Sequence, residues 1–287
     1  MVTSSSSPGS GSSPWSASSP ALDELVSTLR AAGCVFAEDE AALLLDAACT
    51  PTDLAELVAR RVAGLPLEQI LGWAGFCGLR ITLDAGVFVP RQRTEFLVQE
   101  AARLWRNGTR TSGVVVDLCC GSGALGLAVV TALSGAGQPG ASPIELYATD
   151  IDPVAVRCAR RNLAGLDAAV YEGDLYEALP DALWGRVDLL VANVPYVPTG
   201  AIELLPPEAR THEPRRALDG GPDGLDLQRR VTAEAAGWLA PGGGLLVETS
   251  DQQASNAVTT IRRHGLIARV ARSDEYNATV VVATRPR

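Results

Sequence analysis

The chain has 287 residues, 47% of them hydrophobic and 20% charged, which suits a soluble globular protein with one large domain, or one large and one small. Its net charge is −9 and every basic residue is an arginine, with the arginine pairs at 60–61, 160–161, 215–216, 229–230 and 262–263 scattered, so broad affinity for phosphate backbones is not expected. Six cysteines without a CxxC spacing suggest no disulfide framework, and no apolar run reaches the ~18 residues of a spanning helix, so a reducing cytoplasmic setting is expected.

Residues 1–20, MVTSSSSPGSGSSPWSASSP, have neither a charged start nor an apolar centre, and read as a disordered Ser/Gly/Pro-rich tail. Across 21–71, apolar residues recur at helical spacing, first Leu22, Leu25, Val26 and Leu29, then Ala41, Leu44, Leu45 and Ala48; Pro51 opens a further helix to Val62. Helices this short must pack on one another, so a small helical domain is predicted, serving to hold a partner or cover the larger domain. Residues 72–110 are read as a β-hairpin and a linker helix. GWAGFCGLRITLDAGVFV alternates around Asp84-Ala85-Gly86, and the helix carries Phe96, Leu97 and Ala101 on its apolar side, capped by Thr94 or a neighbour.

From 111 to 287, strands predicted at 113–117, 144–149, 168–172, 187–192 and 244–249 alternate with helices at 123–134, 153–165, 225–240 and 251–264. An antiparallel pair at 266–273 and 277–283 closes the chain. The pattern is α/β, a Rossmann-like doubly wound sheet. Residues 134–143 read as a long flexible connection whose shortening should be tolerated.

The first of these strands runs into Asp117-Leu118-Cys119-Cys120-Gly121-Ser122-Gly123-Ala124-Leu125-Gly126. Gly121, Gly123 and Gly126 satisfy G-x-G-x-x-G, a signal common to nicotinamide- and adenosylmethionine-binding folds. A carboxylate at Asp117 would repel a pyrophosphate and favour an ammonium. Asp150, at the tip of the second strand, is placed for two ribose hydroxyls, while Asp152 and Pro153 look like a helix cap and first turn. Asp174 follows the third strand, where it could accept from an adenine amine beside an apolar neighbour, or could be a turn residue after Gly173.

The apolar run 187–192 reads as a buried parallel strand, and Asn193-Val194-Pro195-Tyr196 lies at its carboxyl end, where open α/β sheets place ligands. The Asn193 side-chain oxygen and the Val194 carbonyl are two acceptors able to hold an NH2 group. Pro195 stiffens the loop, and Tyr196 can cover a flat group. Taken alone, the tetrapeptide fits an ordinary strand-ending turn better, by roughly two to one. His212 and His264 are the only histidines, and neither has metal-ligand spacing; His212 is expected in a loop near the site entrance. No G-x-S-x-G elbow is present.

In this order, DEAALLLDAA, PLEQILGWAGFCGL, VFVPRQRTEFLVQEA, DLCCGSGALGLA, ATDIDPVAV, GDLYEAL, VDLLVANVPYVP, EPRRALDGGPDGLDLQRRV and LAPGGGLLVE resemble the protein-(glutamine-N5) methyltransferases that act on peptide-chain release factors. That resemblance implies a seven-stranded class I methyltransferase sheet with S-adenosyl-L-methionine as cofactor. It places the cofactor at Asp117, Cys119, Gly121, Gly123, Asp150, Ile151, Asp174, Leu175 and Asn193, and the glutamine amide at Asn193, Val194, Pro195 and Tyr196. It further implies a release factor as protein substrate, with no membrane or direct nucleic-acid partner. The family's first proline is Val194 here. Two alternatives stand beside it: a DNA or RNA amino methyltransferase, against which the acidic balance and the lack of a separate target-recognition domain argue, and a non-catalytic cofactor-binding relative.

Overall fold

A computed structural model describes residues 20–108, 112–134 and 144–287. The expected tail, apart from its last residue, and nearly all of the 134–143 connection lie outside the described residues. The chain divides into two compact units, one ending at Leu71 and the other spanning Gly72–Arg287. No helix among the described residues is long and apolar enough to cross a membrane.

The first unit consists of α1 (Pro20–Ala31), α2 (Ala37–Ala47), α3 (Pro51–Val62) and α4 (Leu67–Leu71). Leu25, Leu29, Ala37, Ala41, Leu44 and Ile70 form its core. Thr50 caps α3 by accepting from the Asp53 N–H at 3.1 Å, an interaction worth about 1 kcal/mol. Arg61 Nε donates to Glu40 Oε2 at 2.5 Å and ties α3 to α2.

The second unit opens with a hairpin of β1 (Trp73–Phe76) and β2 (Leu79–Thr82), whose turn is Cys77-Gly78 rather than Asp84-Ala85-Gly86. Phe76 pairs with Leu79, and both loop residues have positive φ, 49° and 72°, the primed-turn geometry that matches strand twist. Asp84-Ala85-Gly86 is a separate turn, with the Val87 N–H donating to the Asp84 carbonyl at 3.1 Å. The next helix, α5 (Glu95–Arg106), is part of this unit's core through Phe96, Leu97, Ala101 and Trp105. Thr94 does not cap it by its side chain. Instead Glu95 Oε1 accepts from the Cys77 N–H at 2.9 Å, pinning the hairpin tip to the helix start.

There follow β3 (Gly113–Leu118), α6 (Ala124–Leu133), β4 (Ile144–Asp150), α7 (Pro153–Asn162), β5 (Ala168–Glu172), β6 (Val187–Ala192), α8 (Pro207–His212), α9 (Asp226–Trp238), β7 (Leu239–Thr249), α10 (Ala254–Arg263), β8 (Ile267–Ser273) and β9 (Ala278–Thr284). Seven strands form one sheet in the order β5-β4-β3-β6-β7-β9-β8. The first five are parallel, β9 is antiparallel to β7, and β8 to β9. The expected strand at 244–249 starts earlier, because Val187 pairs with Leu239 and Leu189 with Gly244, leaving 240–243 as a bulge. His212, expected in a loop, ends α8.

Within β6, Val187, Leu189, Leu190 and Val191 are buried on both faces of the sheet, as a central parallel strand requires. Asp188 interrupts the run because its Oδ2 accepts from the Val114 N–H at 2.9 Å, locking β6 to the start of β3. The chain builds outward from β3 to β4 and β5, then returns to place β6 on the other side of β3. The order therefore reverses between β3 and β6, and a crevice opens at their carboxyl ends.

Candidate active site

Leu118 at the end of β3 lies opposite Ala192 at the end of β6, so the glycine loop and Asn193 emerge side by side. The loop turns through three left-handed residues, Cys119, Gly121 and Gly123, with φ of 57°, 55° and 78°. Cys119 is the costly one, since its Cβ is crowded in that region; such strain collects where a ligand is held. Gly126 is closely packed. A Cβ there would lie 3.0 Å from Asp117 Oδ2, which accepts the Gly126 N–H at 2.8 Å.

Asp117 is fully buried, and its other oxygen, Oδ1, has no partner among the described residues. Burial lifts its pKa from 3.8 to about 7, opposed by the Gly126 hydrogen bond and reinforced by Asp150. A buried carboxylate with a vacant oxygen fits a ligand ammonium, which would restore its charge. Burial also pushes the Cys119 and Cys120 thiols up, so both remain protonated at neutral pH.

Asp150 ends β4 and supports the loop: Oδ2 accepts from the Gly121 N–H at 2.8 Å and Oδ1 from the Asp152 N–H at 2.9 Å. Each oxygen keeps a lone pair for a hydroxyl. Desolvation raises its pKa, partly offset by those two backbone bonds. Asp152 caps α7, accepting from the Val154 N–H at 2.9 Å, with Pro153 in the first turn. Ile151 is 57% exposed for so apolar a side chain, and Leu175, at φ 51°, faces the same cavity. Together they offer an apolar surface beside Asp150, which suits a purine. Asp174 also borders the cavity but is engaged by Arg230, whose Nη2 donates to Oδ2 at 2.8 Å. An adenine amine would share that carboxylate.

On the β6 side, Asn193 Nδ2 donates to Thr94 Oγ1 at 3.2 Å, while Asn193 Oδ1 and the Val194 carbonyl carry no hydrogen bond from the described residues. The Val194 side chain is 1% exposed and packs with Leu118, Leu175 and Leu190 in the core. Tyr196 is held from three sides. Its hydroxyl donates to Glu248 Oε1 at 2.8 Å, Arg93 lies over its ring at 5.7 Å, and Gln253 Nε2 donates to its carbonyl at 2.9 Å. Arg93 also pairs with Glu248 at 3.2 Å. Gly224 has positive φ, and a Cβ there would strike the Tyr196 carbonyl, so the 219–224 loop can lie directly on the site.

Both sets of residues border one cavity of about 790 Å³, whose far wall is the segment after the hairpin, including Val87, Phe88 and Arg91. Asn162 at the end of α7 clips the end of β2, which leads into that segment, to the loop. It exchanges two hydrogen bonds with the Thr82 backbone, each 2.9 Å, and donates to the Ser122 carbonyl at 2.8 Å. Thr94, Arg93, Glu248 and Gln253 were not singled out by sequence as parts of the site. No group of three or more His, Cys, Asp or Glu residues that could hold a metal occurs among the described residues.

A donor held at the β3 loop would thus meet an amine held at the end of β6, which is the layout of an S-adenosylmethionine-dependent methyltransferase. The methyltransferase small domain family matches residues 78–208. The release factor glutamine methyltransferase of Geobacter sulfurreducens is 38% identical over 225 residues, covering 77% of this chain and 74% of the relative. The chain belongs to the release factor glutamine methyltransferase family. A 4-amino-L-phenylalanine/4-methylamino-L-phenylalanine methyltransferase of Streptomyces pristinaespiralis is 36% identical, over 85% of this chain and 87% of that protein. The crystal structure of a methyltransferase from Pyrococcus furiosus shares the fold, with TM-score 0.52 and 13% identity over 81% of this chain and all of that one.

Proposed function

We propose that this enzyme methylates the side-chain amide nitrogen of a glutamine in a protein, a peptide-chain release factor. The observation that carries the reading is the pair of open acceptors, Asn193 Oδ1 and the Val194 carbonyl, beside the vacant oxygen of buried Asp117. S-adenosylmethionine supplies a methyl group already activated by its sulfonium. Asp117 would hold its ammonium, Asp150 its ribose hydroxyls, Ile151 and Leu175 its purine face, Asp174 its amine, and Cys119, Gly121 and Gly123 the backbone cradle.

An amide nitrogen is a poor nucleophile because its lone pair is delocalised into the carbonyl. Binding both amide hydrogens to Asn193 and Val194 fixes the nitrogen's direction and stabilises the positive charge it develops. Such preorganised contacts typically contribute ~10²–10³ in rate. Pro195 holds the Val194 carbonyl in place, and Tyr196, tethered to Glu248, covers the amide. Alignment of the two reactants contributes up to roughly 7–11 kcal/mol in favourable cases. A release-factor substrate implies a cytoplasmic site of action, with the helical segment 21–71 available to engage the protein partner.

A second reading, an aromatic amine on a small amino acid, is favoured by the S. pristinaespiralis relative. The test is transfer of labelled methyl to a purified release factor, with its Gln→Ala variant, 4-aminophenylalanine and duplex DNA as parallel acceptors. Label on the intact release factor alone supports the proposal. Label on the aromatic amine or DNA, with none on the release factor, overturns it.

A further inference from the structure

We infer that Thr94 is a positioning residue for methyl transfer, anchoring the Asn193 side-chain amide against rotation beside the acceptor. This rests on the reading that Asn193 holds an amine, but not on which amine it is.

A carboxamide has two ends of nearly equal shape and opposite hydrogen-bonding sense. Only the Oδ1 end can receive an amine; with Nδ2 turned to the cavity, two NH2 groups would face each other. The side chain of Asn193 must therefore be fixed in rotation as well as in position. β6 fixes only its backbone. Among the described residues, one side chain meets its amide: Thr94, whose Oγ1 accepts from Nδ2 at 3.2 Å. Thr94 is 3% exposed, so water does not compete freely for that oxygen. With Nδ2 engaged there, the amide is anchored at the border of the cavity that Asn193 lines.

Thr94 is itself held from both sides in sequence. Its N–H donates to the Arg91 carbonyl at 2.9 Å, and the following Glu95 accepts from the Cys77 N–H at 2.9 Å. The hydroxyl is not used to cap α5, although it sits at the position where a cap would be. A residue type suited to capping is diverted to a partner 99 positions away in the chain.

Three measurements on the full chain test this. Thr94→Val keeps the shape and removes the acceptor; its kcat should fall roughly tenfold, the loss of one orienting hydrogen bond at a buried site, with cofactor Kd unchanged. Thr94→Ser should restore kcat to near the wild-type value. With 15N-asparagine labelling, the Asn193 side-chain NH2 signal should move in Thr94→Val and stay in Thr94→Ser. Wild-type kcat in Thr94→Val, or equal loss in Val and Ser, overturns the inference. If wild type proves inert on release factor and active on an aromatic amine, the functional reading fails while the Thr94 comparison is made on that amine. If no acceptor turns over, the NH2 signal decides, and an unmoved signal in Thr94→Val overturns the inference.

Discussion

Replacing Asp117 by Asn should make the stability of the cofactor-free protein respond less to pH, by an amount that follows from burial. The carboxyl has a pKa near 3.8 when exposed and about 7 in the fold. Between those values the unfolded chain has released a proton that the folded protein still holds, so stability falls as pH rises through that window and levels off above it. Three units at about 1.4 kcal/mol each make roughly 4 kcal/mol lost between pH 4 and pH 8. Asn has no such dependence, and any constant offset from the swap cancels when the two pH curves are compared. Asp150 and Glu213 are also raised by burial, but both proteins contain them. Urea titrations of cofactor-free wild type and Asp117→Asn at half-unit steps should show the variant gaining about 4 kcal/mol relative to wild type from pH 4 to pH 8. Parallel curves would refute the assignment of a buried, unpaired carboxyl. In the same variant cofactor binding should weaken, because the ammonium loses its charged partner.

Asn193→Ala should keep cofactor affinity in a binding titration while turnover drops ~10²–10³-fold; equal turnover of variant and wild type would remove Asn193 from the chemistry. Asp150→Ala loses both the support of the Gly121 N–H and the hydroxyl acceptor, so calorimetry should show cofactor Kd rising roughly tenfold or more. Val194→Pro leaves the carbonyl in place and stiffens the loop, so activity on a glutamine substrate should be retained or improved; abolished activity would mean a loop shaped for another acceptor.

The strands were legible because a parallel sheet covered on both faces demands largely apolar runs, and 113–117, 144–149 and 187–192 are such runs despite Glu145 and Asp188. Asp117, Asp150 and Asn193 stood out for a related reason: each lies at or just past the carboxyl end of an apolar strand. The hairpin turn was misplaced because Asp84-Ala85-Gly86 has turn composition and is a turn, whereas Cys77-Gly78 hides a left-handed residue behind a cysteine. The strand beginning at Leu239 was cut short because Pro241 and three glycines read as a loop, while the structure accommodates them in a bulge. Asp174 looked available because nothing local announces Arg230, 56 residues away. Thr94, read only as a helix cap, and Glu248 were missed as parts of the site for the same reason. Their partners, Asn193 and Tyr196, are distant in the chain, and only the sheet order brings them together.

The Asn162 clip has a consequence for how such an enzyme diversifies. By holding the Thr82 backbone and the Ser122 carbonyl in one side chain, it ties the end of β2, from which the cavity wall continues, to the loop that cradles the donor, using main-chain atoms on the β2 side. Along that wall Val87 is packed in the core and Arg91 neutralises buried Glu213, so half-buried Phe88 is the side chain that can be exchanged while the frame beneath it keeps its register. Selection for a new amine can work on the wall's chemistry without relearning where the methyl group arrives.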